Sequence, residues 1–344
     1  MLAKQPLQTR TNVRLYALVA GLALICATLV GCSGKQDEGA PPKDGFPSVQ
    51  FGYSKTVTIG EGQQAPSQVK VRTLRQAKNA SPQTLVQDGD TILADYQGQT
   101  WDGTIFETTY QQNWTALPME LDKVKVQGLK EGIIGHHIGD LLQIIVPAHK
   151  AYGDNEQRSV TGDVLIEKNT PLVYVVDIID HVDLRDYSAL TKAQPIIDNV
   201  IKKRLPKGIH VVSELGKEPV ITIDDNVVPP KETQLIHLSQ GKGKSIGPDD
   251  YVAQHIVMVP LQQGAVDSAT QKNDTSKVYS DWDKDTLQLT PDFVGNDLKY
   301  LGINVGSRVL VLMPAAQLDR KGRKADTEPV AMIIDYGGTL TVPK

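Results

Sequence analysis

The chain has 344 residues, 40% hydrophobic, 22% charged and 5% aromatic, with 29 glycines and 20 prolines. That composition is globular rather than low-complexity or fibrous, and the length suggests two domains. A formal net charge of −4 leaves no basic excess for phosphates, which argues against a nucleic-acid partner, and the two cysteines, Cys26 and Cys32, are too few for a disulfide framework or a cysteine zinc site.

The first 31 residues carry Lys4, Arg10 and Arg14 with no acidic residue, followed by a nearly unbroken apolar stretch from Leu15 to Val30. That stretch is shorter than the ~20 residues of a spanning helix and reads as a secretory signal. A Gly-, Ser-, Pro-, Asp- and Lys-rich segment follows, so residues 32–50 read as a flexible tether. Short alternating runs such as Thr91 to Tyr96 and Val252 to Val259, separated by turn signals, predict β-strands. In Gly128 to Ile134, Leu129 and Ile133 fall one turn apart, which predicts a short helix laying one face on a sheet. Gln194-Pro195-Ile196 predicts the start of a second helix, with Lys202-Lys203-Arg204 in its last turn and a stop before Pro206.

The chain also repeats itself. Gly128, Gly135, Gly139, Pro147 and Ala148 recur at one constant interval as Gly295, Gly302, Gly306, Pro314 and Ala315. Strand-like runs lie between them, Leu141 to Val146 in one copy and Arg308 to Met313 in the other. Each copy closes on an apolar run ending in aspartate, Leu172 to Asp177 and Val330 to Asp335, at a shorter interval, so the second copy is abridged after its proline. The organisation expected is a signal at 1–31, a tether at 32–50, a first domain at 51–186, a linker with a short helix at 187–210, and a second domain at 211–344. The expected class is α+β, each domain a curled antiparallel β-sheet wrapped around one short α-helix.

Two resemblances add chemistry. Leu29-Val30-Gly31-Cys32 resembles a bacterial lipobox, which implies cleavage before Cys32, lipidation of Cys32, and an exported protein anchored at the outer face of the cytoplasmic membrane. Residues 89–180 resemble the FKBP-type peptidyl-prolyl cis-trans isomerases. The landmarks run in family order: Gly89-Asp90-Thr91, Tyr96, Gly98, Trp101-Asp102-Gly103, Ile105-Phe106-Glu107-Thr108-Thr109, Val126-Gln127-Gly128-Leu129-Lys130-Glu131-Gly132, Pro147-Ala148, Ala151-Tyr152-Gly153, and Leu172 to Ile178. The resemblance implies isomerisation of X-Pro bonds in proline-containing polypeptides, with no cofactor and no metal. It implies Tyr96, Phe106, Glu107 and Tyr152 as the catalytic set. Val126, Leu129, Tyr174, Leu117 and Met119 would line the pocket, with Leu165 and Ile166 in a loop overhanging its rim.

The chain departs from the family pattern at Leu129 (usually tryptophan), Glu107 (aspartate), Tyr174 (phenylalanine) and Glu167-Lys168 (Pro-Pro). Leucine is smaller than tryptophan, so a shallower floor and weakened binding of a macrolide ligand are expected. In the second copy Ile256 takes the place of Tyr96, Asn296 that of Leu129, Tyr279 that of Phe106 and Met332 that of Tyr174. The Ala-Tyr-Gly tripeptide has no counterpart between Pro314 and Glu328, so that copy is expected to be silent. His136-His137 reads as an exposed turn rather than a metal site. Two readings follow: an anchored isomerase for exported proteins, and a catalytically weak FKBP-like binding or chaperone lipoprotein.

Overall fold

Side chains alternate across a strand, so a run that is apolar at every position must be covered on both faces. In the computed structural model, which describes residues 44–52, 55–110, 116–196, 203–225, 227–261, 279–291, 302–314 and 329–343, this is what the central strands do. The expected signal, Cys32 and Asn296 lie outside the described residues, as does the position of the second copy's expected helix.

The first element among the described residues is a hairpin of β1 (Ser48–Phe51) and β2 (Lys55–Thr58). A sheet follows, built from β3 (Lys70–Arg75), β4 (Thr91–Thr100), β5 (Ile105–Thr108), β6 (Leu117–Glu120), β7 (Leu141–Val146) and β10 (Leu172–Val182), in the order β3-β7-β10-β4-β5 with β6 also on β4. Between β6 and β7 lies α1 (Gln127–Ile133), and between β7 and β10 a small hairpin of β8 (Gln157–Arg158) and β9 (Val164–Ile166). All pairings are antiparallel.

One face of the sheet carries Ile92, Ala94 and Tyr96 of β4, Leu142, Ile144 and Val146 of β7, and Leu172, Tyr174, Val176 and Ile178 of β10. Helix α1 covers this face through Leu129 and Ile133, and it sits close because Gly128 and Gly132 have no side chains. A Cβ at these glycines would lie 2.5 Å from Val146 and 2.6 Å from Ile144. On the opposite face Leu141, Ile145, Val173 and Val175 pack against Phe46 and Val57 of the N-terminal segment. Thus, within the stretch read as tether, 32–50, Phe46 is buried and Ser48, Val49 and Gln50 are paired. Gln99 fastens the hairpin: Val57 N–H donates to its Oε1 at 3.2 Å, and its Nε2 donates to Val57 O at 2.9 Å.

After α2 (Ser188–Thr191), the two-residue strand β11 (Gln194–Pro195) pairs with Gln240 and Ser239. The sequence predicted a helix start at this point. Instead Pro195 occupies an outermost strand, where a missing N–H is tolerated. Lys203 and Arg204 are helical and the chain leaves that helix before Pro206.

A second hairpin, β12 (Ile209–Val212) with β13 (Val220–Ile223), precedes a second sheet of β14 (Gln234–Gln240), β15 (Tyr251–Pro260), β16 (Tyr279–Ser280), β17 (Gln288–Pro291), β18 (Arg308–Met313) and β19 (Val330–Leu340). Its order is β11-β14-β18-β19-β15-β16, with β17 also on β15. From β14 onward this is the strand order of the first sheet. The turn before β7 and the turn before β18 close alike, Gly139 N–H on Ile178 O at 2.7 Å and Gly306 N–H on Tyr336 O at 2.6 Å. The hairpin is repeated too, since Ile209 and Ile221 cover Ile236, Leu238, Leu310, Leu312 and Ile333. Beneath it, Arg308 and Asp335 form an ion pair at 2.6 Å with both side chains buried.

Both sheets lie in one compact unit, Pro41–Lys344. They meet through apolar clusters: Leu184 and Leu190 with Ala253 and Leu287, and Leu93 and Ala116 with Leu340. Asp180 Oδ2, from the end of β10, accepts Lys244 Nζ at 3.0 Å and Thr341 N–H at 2.8 Å. Tyr187, just before α2, stacks on His255 of β15 with ring centroids 5.4 Å apart.

Candidate active site

The covered face of the first sheet holds the residues singled out from the sequence. Tyr96, Val126, Leu129, Ile166 and Tyr174 are buried in one apolar cluster, with Phe106, Met119 and Tyr152 packed against it and half-exposed. Leu117 is half-buried on the same side of its strand as Met119, facing Ala94 across the pairing. Ile166 turns inward while Leu165, its neighbour on β9, is exposed.

Backbone placement accounts for this convergence. Tyr174 sits directly across from Gly98 in the pairing of β10 with β4. A Cβ on Gly98 would lie 2.8 Å from both Phe106 Cζ and Tyr174 Cε1, so the glycine is what lets the two rings close over the strand. They meet edge to face, centroids 5.9 Å apart at 85°, the arrangement that ring quadrupoles favour. Glu107 follows Phe106 on β5, and Gly98 is its cross-strand partner. It is exposed, and it accepts the hydroxyl of Tyr96. Thr109 fixes the backbone of Tyr96, its Oγ1 accepting Tyr96 N–H at 2.8 Å.

Tyr152 lies between a single 3-10 turn, Ala148–Lys150, and a chain reversal at Gly153, whose φ is +55°. Asn169, with φ 56°, ties this turn to the end of the β8–β9 hairpin. Its N–H donates to Gly153 O at 2.7 Å and its Nδ2 to Asp154 Oδ1 at 2.8 Å. The Tyr152 hydroxyl hydrogen-bonds no described residue and is free to meet a ligand. Gly98, Thr109 and Asn169 were not singled out as functional from the sequence. Gly98 and Thr109 were named only as family landmarks, and Asn169 carried a signal of its own, since asparagine tolerates the left-handed backbone that a tight reversal needs.

Electrostatically the site is a set of neutral phenols around one carboxylate at its mouth. Burial, and after it the hydrogen bond to Glu107, raise the Tyr96 phenol well above the ordinary tyrosine range. Burial and then the charge of Glu107 raise Tyr152. Burial, then Tyr152, Glu107 and Tyr96, raise Tyr174 further still. These hydroxyls therefore remain protonated and act as donors. The two histidines read as a turn are engaged elsewhere, His137 Nδ1 3.1 Å from Thr84 Oγ1 and His136 Nδ1 3.4 Å from Asp140.

By register, the second sheet corrects one expected correspondence. Gly98 faces Glu107 in the first sheet, and the matching Met258 faces Tyr279 in the second. Tyr279 therefore stands at the position of Glu107, not Phe106; the residue before it, Val278, lies outside the described residues. Met332 faces Met258 as Tyr174 faces Gly98.

A curled antiparallel sheet over one short helix thus brings apolar and aromatic side chains together on one face with the phenols of Tyr96, Tyr152 and Tyr174, a lining suited to an apolar group with polar neighbours. Residues 83–179 match the FKBP-type peptidyl-prolyl cis-trans isomerase family, and the chain carries an FKBP-type domain there. Over 105 residues it is 30% identical to the peptidyl-prolyl cis-trans isomerase FKBP9 of Rattus norvegicus, covering 30% of this chain and 17% of that one. Over 93 residues it is 30% identical to FK506-binding protein 2 of Debaryomyces hansenii, covering 27% of this chain and 64% of that one. Among solved structures, FkpA from Escherichia coli aligns at 24% identity and a TM-score of 0.28, covering 38% of this chain and 53% of that one. The chain thus spans less than two thirds of the length of each of these proteins, from about a sixth of FKBP9 to just under two thirds of FK506-binding protein 2.

Proposed function

We propose that the chain is a peptidyl-prolyl cis-trans isomerase acting through the pocket of its first sheet. The observation that carries this reading is the convergence of Tyr96, Phe106, Val126, Leu129, Tyr152 and Tyr174 on one face, within the family-matched stretch. Rotation about an X-Pro imide needs no covalent nucleophile. Its uncatalysed barrier is near ~20 kcal/mol because planarity is held by amide resonance. The twisted imide is less polar than the planar one, so a dry apolar pocket stabilises it over the ground state. Phe106, Val126 and Leu129 would enclose the proline ring, Tyr152 would donate to a neighbouring carbonyl, and Glu107 would hold Tyr96 in place.

The deciding measurement is the cis-to-trans rate of a proline tetrapeptide with residues 33–344. Acceleration that drops about tenfold or more in Phe106→Ala and falls in Tyr152→Phe places catalysis in this pocket. No acceleration by a folded protein would leave client binding as the function, the reading favoured by Leu129 at the floor, Glu107 in place of aspartate and Glu167-Lys168 at the rim.

The second sheet, on this proposal, is a degenerate copy of the first. Ile256 in place of Tyr96, Met332 in place of Tyr174 and Tyr279 in place of Glu107 remove two buried phenol hydroxyls and the carboxylate that accepts one of them. A weakened macrolide site is proposed for the first sheet alone. We propose further that Cys32 is lipidated and anchors the protein outside the cytoplasmic membrane, where its clients would be exported polypeptides. Support comes from the sequence around Cys32. Radiolabelled palmitate should enter the wild-type protein in cells and be lost in Cys32→Ser, which should then leave the membrane fraction.

A further inference from the structure

The three phenols of the pocket are not equivalent. Tyr96 donates its hydroxyl to Glu107, and Tyr152 stands at the half-exposed mouth. Tyr174 is 2% exposed, its ring locked against Phe106 and above Gly98. Even so, its hydroxyl hydrogen-bonds no described residue, and its oxygen is not among the buried polar atoms cut off from any partner. A polar atom carried this deep on a fixed ring, unbonded yet open to the pocket, is set to meet a group that arrives with the ligand. Tyr152, Glu107 and Tyr96 are its electrostatic neighbours, so it stands at the polar end of the pocket.

We infer that the Tyr174 hydroxyl is a second hydrogen-bond donor to the backbone of the bound segment, taking a carbonyl oxygen next to the proline alongside Tyr152. This rests on the isomerase reading above. The chemistry follows from the substrate class. Proline has no N–H, so a prolyl segment presents more carbonyl acceptors than donors, and a pocket that grips it needs donors. A phenylalanine here would keep the ring and lose the grip. A carbonyl flanking the rotating bond is present in both planar and twisted states, so this bond strengthens binding without favouring the twisted state.

Tyr174→Phe removes one oxygen and leaves the ring contact with Phe106. The test measures kcat and KM with a proline tetrapeptide, together with a calorimetric Kd for the same peptide. The expected result is a rise in KM and Kd of about fivefold, the size of one ordinary hydrogen bond, with kcat held and the same melting temperature. In Tyr152→Phe combined with Tyr174→Phe the two increases in Kd should multiply if the donors serve separate oxygens. An unchanged Kd, a tighter Kd in Tyr174→Phe, or a kcat that falls with unchanged KM overturns the inference. If the wild-type protein binds the peptide without accelerating it, the isomerase reading fails, and the Kd comparison still decides the role of Tyr174.

Discussion

Gly98 shapes the pocket by what it lacks. With a Cβ 2.8 Å from both Phe106 and Tyr174, Gly98→Ala forces one ring aside. We expect a loss of about 1–3 kcal/mol in urea unfolding, together with a fall in kcat/KM larger than that of a surface substitution. His181 supplies a pH-dependent contribution. Its Nδ1 lies 2.8 Å from Asp90 Oδ2, and that hydrogen bond raises its pKa above the ordinary 6.5. A raised pKa means that the stabilisation is fully present below the unfolded value and is lost as pH rises through the folded one. The gap in urea midpoint between wild type and His181→Gln should therefore be widest in mild acid and shrink above pH 6.5; a gap that widens with pH would sink this account. In the second sheet, burial holds Asp335 up to about 6 although Arg308 opposes the shift. Removing Arg308 takes away what keeps the Asp335 carboxyl ionised and leaves it buried without its partner, so Arg308→Ala should destabilise by about 3–5 kcal/mol. Arg308→Met with Asp335→Leu should recover most of that loss.

The hairpin β1–β2 is held differently from the strands it covers. Gln99 meets both backbone polar groups of Val57, as a neighbouring strand would. Gln99→Leu leaves those two groups without partners, and we expect a loss of about 1–3 kcal/mol, seen as faster hydrogen exchange at Val57 while Val175 stays protected. The same feature explains what the sequence concealed. Helix α1 was legible because Leu129 and Ile133 are spaced for one face. The repeat was legible because Gly135, Gly139, Gly302 and Gly306 all require positive φ and so persist in both copies. The hairpins were not, because glutamine amides dock β1–β2 and its exposed side is polar, which reads as tether. The pocket's aromatic residues were legible through the family landmarks. Gly98 and Asn169 act through backbone geometry, which the pattern of polarity does not record.

The two sheets lie in one compact unit and meet through polar as well as apolar contacts. Asp180 binds both Lys244 and Thr341, and Leu287 N–H donates to Leu184 O at 2.8 Å. In Asp180→Ala the Thr341 N–H is left without its acceptor. We expect wild type to unfold in a single calorimetric transition that broadens or splits in two in this variant, with the proposed isomerase activity changed little, because Asp180 lies at the far end of β10 from Tyr174. A transition that stays single and unshifted would show that the apolar clusters alone hold the halves together.

The hairpin beneath each sheet also separates two notions of a unit. The family-matched stretch, residues 83–179, includes Leu141, Ile145, Val173 and Val175 but not Phe46, Val57 or strand β3. Cut at those limits, a fragment would have a water-facing greasy side and an unpaired strand edge at β7, the combination that drives chains to associate. What can be recognised by descent is therefore shorter than what can fold. We expect the smallest independently folding piece of this protein to reach back at least to Phe46, and the second half, by the same reasoning, to the residues just before Ile209.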